Sequence, residues 1–191
     1  MPFPFDDLPR KEADLKARFP EKAAEVGRLP WLILESYDRL VAAFRANDKA
    51  AILQESDSLA SLVTDLHNPL ALTENSDGQK TGQHGLWIRI GEKLPQILAN
   101  RLGVSADAAR YLDSPTEYIF ATIPSTYVWV DNLLYEESLA HRGMAGYGEA
   151  YYDDLRERVT PLVKRLWEES ARDVGSFWYT AWTVAGRPPL Q

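Results

Sequence analysis

The stretch from about residue 147 to 185 constrains the fold most. Along it Val163, Trp167, Ala171, Val174, Trp178 and Ala181 recur on one face at helical spacing, with Arg165, Glu169, Arg172 and Ser176 opposite. A Trp-bearing stripe also suits a helix lying on a membrane, but such helices favour a polar face rich in Lys and Arg. Here acids alternate with bases, so the stripe is expected to pack in a core, and membrane-surface binding is not expected.

The same period recurs upstream. Ile33, Tyr37, Leu40, Val41 and Phe44 predict an amphipathic helix over 30 to 46, and Ile52, Leu59, Val63 and Leu66 a second over about 48 to 66, closed by Asn68-Pro69. Helical patterns follow over about 85 to 102, interrupted near Pro95, and over about 105 to 141, broken near Ser114-Pro115 and Pro124. No strand-like alternation competes, no repeat is present, and no internal linker is marked. The expected fold is all-α, a multi-helix bundle forming a single domain over 1 to 191.

Composition agrees with a packed chain. Of 191 residues, 45% are apolar, including six Trp, nine Tyr and six Phe, which is far from a disordered composition. The net charge is −7 and no cationic cluster stands clear of acids or apolar residues, so nucleic-acid binding, which depends on neutralising phosphates, is not expected. There is no cysteine, which excludes disulfides, thiolate metal sites and thiol catalysis. No apolar run is long enough to span a bilayer, and Met1 to Asp7 has neither the basic start nor the apolar stretch of a signal peptide. With Met1 as the true start the chain is expected to be cytoplasmic; an upstream segment would allow export.

Residues 67 to 84 form the only long stretch without helical period, dense in Gly, Asn, Asp and Thr. Loops of that length in compact domains are uncommon and often functional, although a plain surface connection is the bland alternative. The preceding helix carries Gln54, Asp57, Ser58, Ser61 and Asp65 opposite its apolar stripe, an ordinary solvated face that runs into this loop. His67, near the helix end, suits dipole stabilisation there as well as it suits a ligand role. His67, His84 and His141 have no G-x-S-x-G partner for serine chemistry, and Gly78 and Gly82 read as turn residues rather than a phosphate cradle.

The run Asp65-Leu66-His67-Asn68-Pro69-Leu70, then Thr73 to Gln79, then Gly85-Leu86-Trp87, resembles the core signature of the zinc-dependent phospholipase C and single-strand-specific nuclease family. Phe5 to Arg10, Leu29-Pro30-Trp31, Trp129 to Tyr135 and Gly175 to Trp182 also look like segments of bacterial members, so the resemblance covers most of the chain. It implies the all-α phospholipase C/nuclease fold, a phosphoesterase ancestry and a three-zinc cluster. The family pattern places a His four residues before the Asp, another His six after it, and a later His followed four residues on by an acid. On this chain those positions fall on Ser61, Asp65, Ala71, Trp87 and Gly91, so one ligand of five remains. Family members also have an N-terminal segment that supplies further ligands, and the expectation from the resemblance is that this chain begins just after it.

Zinc needs deprotonated His, Asp or Glu donors, usually at least three from the protein, and Ala, Gly and Trp supply none. The resemblance therefore implies a metal-depleted, non-catalytic relative serving as a binding or structural module, with Trp87 partly filling the former metal pocket and no cofactor expected. The alternative is a zinc-dependent phosphoric ester hydrolase with a reduced site drawn from Asp65, His67, Asp77 and His84. Neither reading identifies a ligand or partner.

Overall fold

A computed structural model describes residues 8–20, 27–99 and 101–189. Met1 to Asp7, including the Phe5 to Asp7 part of the resemblance and the stretch on which localisation was read, lies outside the described residues. The elements are α1 (Glu12–Arg18), α2 (Leu29–Ala46), α3 (Lys49–Leu66), a 3-10 turn (Pro69–Leu72), a π-helical turn (Trp87–Lys93), α4 (Leu94–Leu98), α5 (Pro115–Tyr127), α6 (Val130–Ala140) and α7 (Glu149–Val184). The described residues contain no strand, and no helix among them is long and apolar enough to cross a membrane. The protein is all-α.

α2 and α3 form where their stripes and caps place them. Pro30 opens α2, Asn47 closes it in the left-handed region at φ 52°, and the Asp48 carboxylate accepts from the Ala51 N–H at 3.1 Å to open α3. Ile33, Tyr37, Leu40, Val41 and Phe44 are all buried, facing Leu59, Val63 and Leu66. Ser114 caps α5 ahead of Pro115 by accepting from Glu117 N–H at 3.3 Å.

Two apolar cores result among the described residues. One joins α1, α2, α3 and α5 to Phe177 and Ala181 of α7; the other joins the π-helical turn, α4 and α6 to Tyr151, Leu155 and Val159 of the same helix. The 36 residues of α7, about 54 Å of helix at 1.5 Å per residue, are thus a shared spine.

Four expectations change. Residues 101 to 114, expected to begin a helix near 105, are not helical. They run along α7, where Ser176 Oγ accepts from Arg110 N–H at 3.1 Å, Thr180 Oγ1 accepts from Leu112 N–H at 2.9 Å and Glu168 accepts from Ser105 N–H at 3.0 Å. Side-chain acceptors on a neighbouring helix have replaced intrahelical bonds, so tertiary context overrides local propensity. The expected break at Pro124 falls later: α5 continues through it to Tyr127, and α6 begins at Val130. The interruption near Pro95 is a change of winding, with Leu94 N–H bonded five residues back to Arg89 O as the π-helical turn passes into α4. Proline has no N–H to continue an α-ladder there.

The face of α7 also turns. Of the six residues expected to be inward only Ala181 is fully buried, while Ala171 and Trp178 are exposed and Ser176, expected outside, is buried. The buried stripe runs through Leu166, Ser170, Asp173, Phe177 and Thr180, because the polar members serve the 101 to 114 segment and a buried histidine. Trp178 rests on the surface and donates its indole N–H to Ser56 O at 3.1 Å.

Candidate functional site

The end of α3, the π-helical turn, α6 and the middle of α7 meet around a cleft of about 390 Å³, between the two cores. That volume lies in the range of small-molecule sites. Trp87, Ile90 and Gly91 form one wall. Leu133 of α6 and Leu162, Val163, Leu166 and Trp167 of α7 form the other, and its polar end is made by Thr64, Asp65, His67, Asn68 and Ser170.

Trp87 is held in place from the loop before it. The Asp77 carboxylate accepts from Gly85 N–H at 3.0 Å and Trp87 N–H at 3.1 Å, bonds that keep its carboxyl below the usual carboxylate range. Gly78, at φ +72°, is required here: a Cβ would stand 2.5 Å from Gln83 O. Asn75 ties the loop from within, accepting from Lys80 N–H at 2.7 Å and donating to Thr81 Oγ1 at 3.1 Å. The stretch from 67 to 84 is therefore an ordered platform, and Asn68 accepts from Leu70 N–H at 3.0 Å to start its 3-10 turn. A Cβ on Gly91 would lie 3.7 Å from the Trp87 ring, an ordinary contact, so the indole covers that glycine.

His67 ends α3 and is 5% exposed. Its Nε2 meets Asp173 Oδ2 at 3.0 Å, while its Nδ1 has no hydrogen-bond partner among the described residues. Asp173 also accepts from Tyr118 Oη and from Arg172 Nε, each at 2.8 Å. Burial pushes the Asp173 carboxyl up, but the hydrogen bonds from His67, Arg172 and Tyr118 outweigh it and hold the group below its ordinary value. Asp173 is surrounded by donors and accepts, so His67 donates to it through Nε2–H.

Asp65 has the opposite environment. Among the described residues no hydrogen bond or ion pair reaches its carboxyl, and burial alone pushes it up. Among the described residues no Lys, Arg, Glu or second Asp lines the cleft beside it.

The four residues of the reduced metal site divide into two pairs. Asp65 and His67 line the cleft, whereas Asp77 and His84 do not: Asp77 is committed to backbone amides and His84 is exposed, its carbonyl accepting from Arg89. Among the described residues no three His, Asp or Glu side chains stand where they could share a metal ion. Of the positions that the resemblance assigns to lost ligands, Trp87 and Gly91 line the cleft; Ser61 is exposed, Ala71 is half-buried, and neither lines it.

The sequence reading missed Asp173, Arg89 and Glu137. Arg89 is 4% exposed and Glu137 1%; they pair at 2.8 Å, with Tyr151 Oη donating to the same Glu137 oxygen at 2.8 Å. Arg89 further donates to Gln83 O and His84 O, so this buried pair clamps the loop to α6. A signal existed for Glu137, which interrupts an apolar helical stripe between Leu133 and Ala140.

Compared with family models, curated proteins and solved structures, the chain matches none of them.

Proposed function

We propose that this chain is a metal-free, non-catalytic relative of the zinc-dependent phospholipase C and nuclease family that keeps the helical scaffold as a binding module for a small, largely apolar ligand. One observation carries the reading: Asp65, Trp87 and Gly91, three of the five ligand positions that the resemblance assigns, line a single cleft, and two of the three carry no metal donor. The cleft walls supply aliphatic and indole surface, and the loop below them is pinned by Asp77 and Arg89 rather than left free to coordinate. A pre-formed, mainly apolar space with a few polar groups at one end is the ordinary architecture of a small-molecule site.

Two measurements test this. Elemental analysis of protein purified without chelator is expected to find no stoichiometric zinc, and one zinc per chain would overturn the metal-free reading. A neutral apolar fluorophore, N-phenyl-1-naphthylamine, is expected to bind saturably and to be displaced from the Gly91→Leu variant, whose new side chain enters the cleft beside Trp87. Equal binding to that variant removes the cleft from the proposal. Turnover of a chromogenic phosphodiester that vanishes in Asp65→Ala would overturn the non-catalytic part.

A further inference from the structure

We infer that the cleft takes an organic ammonium, a compact cationic head seated against Asp65 and carried on an apolar chain that runs between Trp87 and the α7 wall. This deepens the binding-module reading and rests on it.

The first ground is charge. Among the described residues Asp65 is the only Asp or Glu lining the cleft, and no Lys or Arg lines it. Its carboxyl has no partner within the described chain. A half-buried carboxylate without a counter-charge is costly, and a ligand cation removes that cost while a phosphate or carboxylate ligand adds to it.

The second ground is the polarity of the hydrogen-bonding groups at that end. Ser170 Oγ is bonded to Thr64 Oγ1 at 3.3 Å, and Asn68 Oδ1 is occupied by Leu70 N–H. Among the described residues the Asp65 carboxylate, His67 Nδ1 and the Asn68 amide NH2 have no hydrogen-bond partner, and of these only the carboxylate carries a fixed acceptor charge. An unpaired carboxylate matches a ligand head that donates and is positively charged, as an alkylammonium is.

The third ground is the wall. Trp87 and Trp167 present indole rings to the same space, and indole is the best side chain for attracting a cation over its face. Leu133, Val163 and Leu166 supply the apolar surface for the tail.

The test uses the full chain with three probes that share one tail: octylammonium, 1-octanol and octyl phosphate. Binding is followed by tryptophan fluorescence and calorimetry in wild type, Asp65→Asn and Asp57→Asn. Asp57 lies exposed on the solvated face of the same helix, so its variant reports the general pull of a net charge of −7. Octylammonium is expected to bind at least about tenfold more tightly than octanol, with octyl phosphate weakest. Asp65→Asn should erase the tenfold preference and leave octanol unchanged, while Asp57→Asn leaves the preference intact. If octanol and octylammonium bind alike in wild type, or the preference survives Asp65→Asn, the ammonium proposal is overturned and the binding-module reading stands. If none of the three binds, both fall.

Discussion

His67 and Asp173, 106 positions apart in sequence, meet at 3.0 Å with side chains 3% and 1% exposed. The contact joins the end of α3 to the middle of α7 at the edge of the cleft, and Tyr118 brings α5 to the same carboxylate. Removing one member of a buried charged set strands the others, which typically costs roughly 3–5 kcal/mol. Asp173→Ala is therefore expected to lose stability of that order at pH 7, and Asp173→Asn less, both read by urea denaturation. The folded carboxyl lies below its unfolded value, so its stabilisation is fully present above about pH 3.9 and is lost as pH falls through the lower folded value. The gap between wild type and Asp173→Asn should hold steady from neutrality to about pH 5 and close in stronger acid. A gap that widens in acid contradicts an ionised Asp173.

Asp65 should behave in reverse. Burial raises its folded carboxyl above the unfolded value, so the ionised form weighs against folding at neutral pH and the penalty disappears as pH falls through the raised value. Asp65→Asn is expected to raise the melting temperature at pH 7 and to leave it nearly unchanged in acid, measured by thermal unfolding at both pH values. A lower melting temperature at pH 7 would mean that the carboxylate has a stabilising partner.

The Arg89–Glu137 pair predicts a mutant cycle with an incomplete rescue. Arg89→Ala strands a buried carboxylate and should cost roughly 3–5 kcal/mol. The double change Arg89→Met with Glu137→Leu removes both charges and should recover part of that loss. Recovery stays partial because Gln83 Nε2 and Tyr151 Oη also bond to Glu137, and the carbonyls of Gln83 and His84 accept from Arg89. Full recovery in a urea-denaturation cycle would show those bonds to be dispensable.

What the sequence disclosed follows from where each residue finds its partners. α2 and α3 were legible because Ile33, Leu40, Phe44, Leu59 and Val63 bury one simple stripe, and because Pro30, Asn47 and Asp48 act on their own neighbours. α7 was legible in extent but not in rotation. Ser170, Asp173, Ser176 and Thr180 look like outward residues on a helical wheel, yet their partners come from 64, 67, 110, 112 and 118. The run Ala106-Asp107-Ala108-Ala109-Arg110 has good local helix propensity and nothing local to reveal that α7 supplies acceptors for it. At the cleft, Asp65, His67, Trp87 and Gly91 could be named in advance, whereas the work of Asp77 in fixing Trp87 depends on a turn that only the folded loop displays.

The extended segment against α7 gives a test that separates close packing from hydrogen bonding. A Cβ on Gly175 would stand 3.2 Å from the Ala109 Cβ, so Gly175→Val should lift the segment, while Gly175→Ala demands a shift of only a few tenths of an ångström. Thr180→Val keeps the shape but leaves the Leu112 N–H unpaired, for a cost of roughly 1–3 kcal/mol, and Thr180→Ser should restore it. Limited proteolysis between 101 and 114 should accelerate in Gly175→Val and Thr180→Val and stay at the wild-type rate in Thr180→Ser. Unchanged cleavage in all of them would mean that α7 does not hold the segment.

The resemblance itself can be tested by rebuilding part of what it says was lost. Asp65 already lines the cleft, and positions 87 and 91 line it too, with the Trp87 ring against the site of a Gly91 side chain. Trp87→His and Gly91→Asp would thus add a nitrogen and an oxygen donor beside an existing carboxylate, three protein ligands with room for a water, which is the usual number for a catalytic zinc. His67 is held by Asp173 and Asp77 by backbone amides, so neither is free to complete a set without disturbing the fold. The double variant is expected to bind one zinc per chain in calorimetry with release of protons, since His and Asp must be deprotonated to ligate. Restoring only His at 87 should give much weaker binding, and Asp65→Ala in the double variant should abolish it. A double variant that folds with its helical content intact and still takes no zinc would break the link between these positions and the family's metal site.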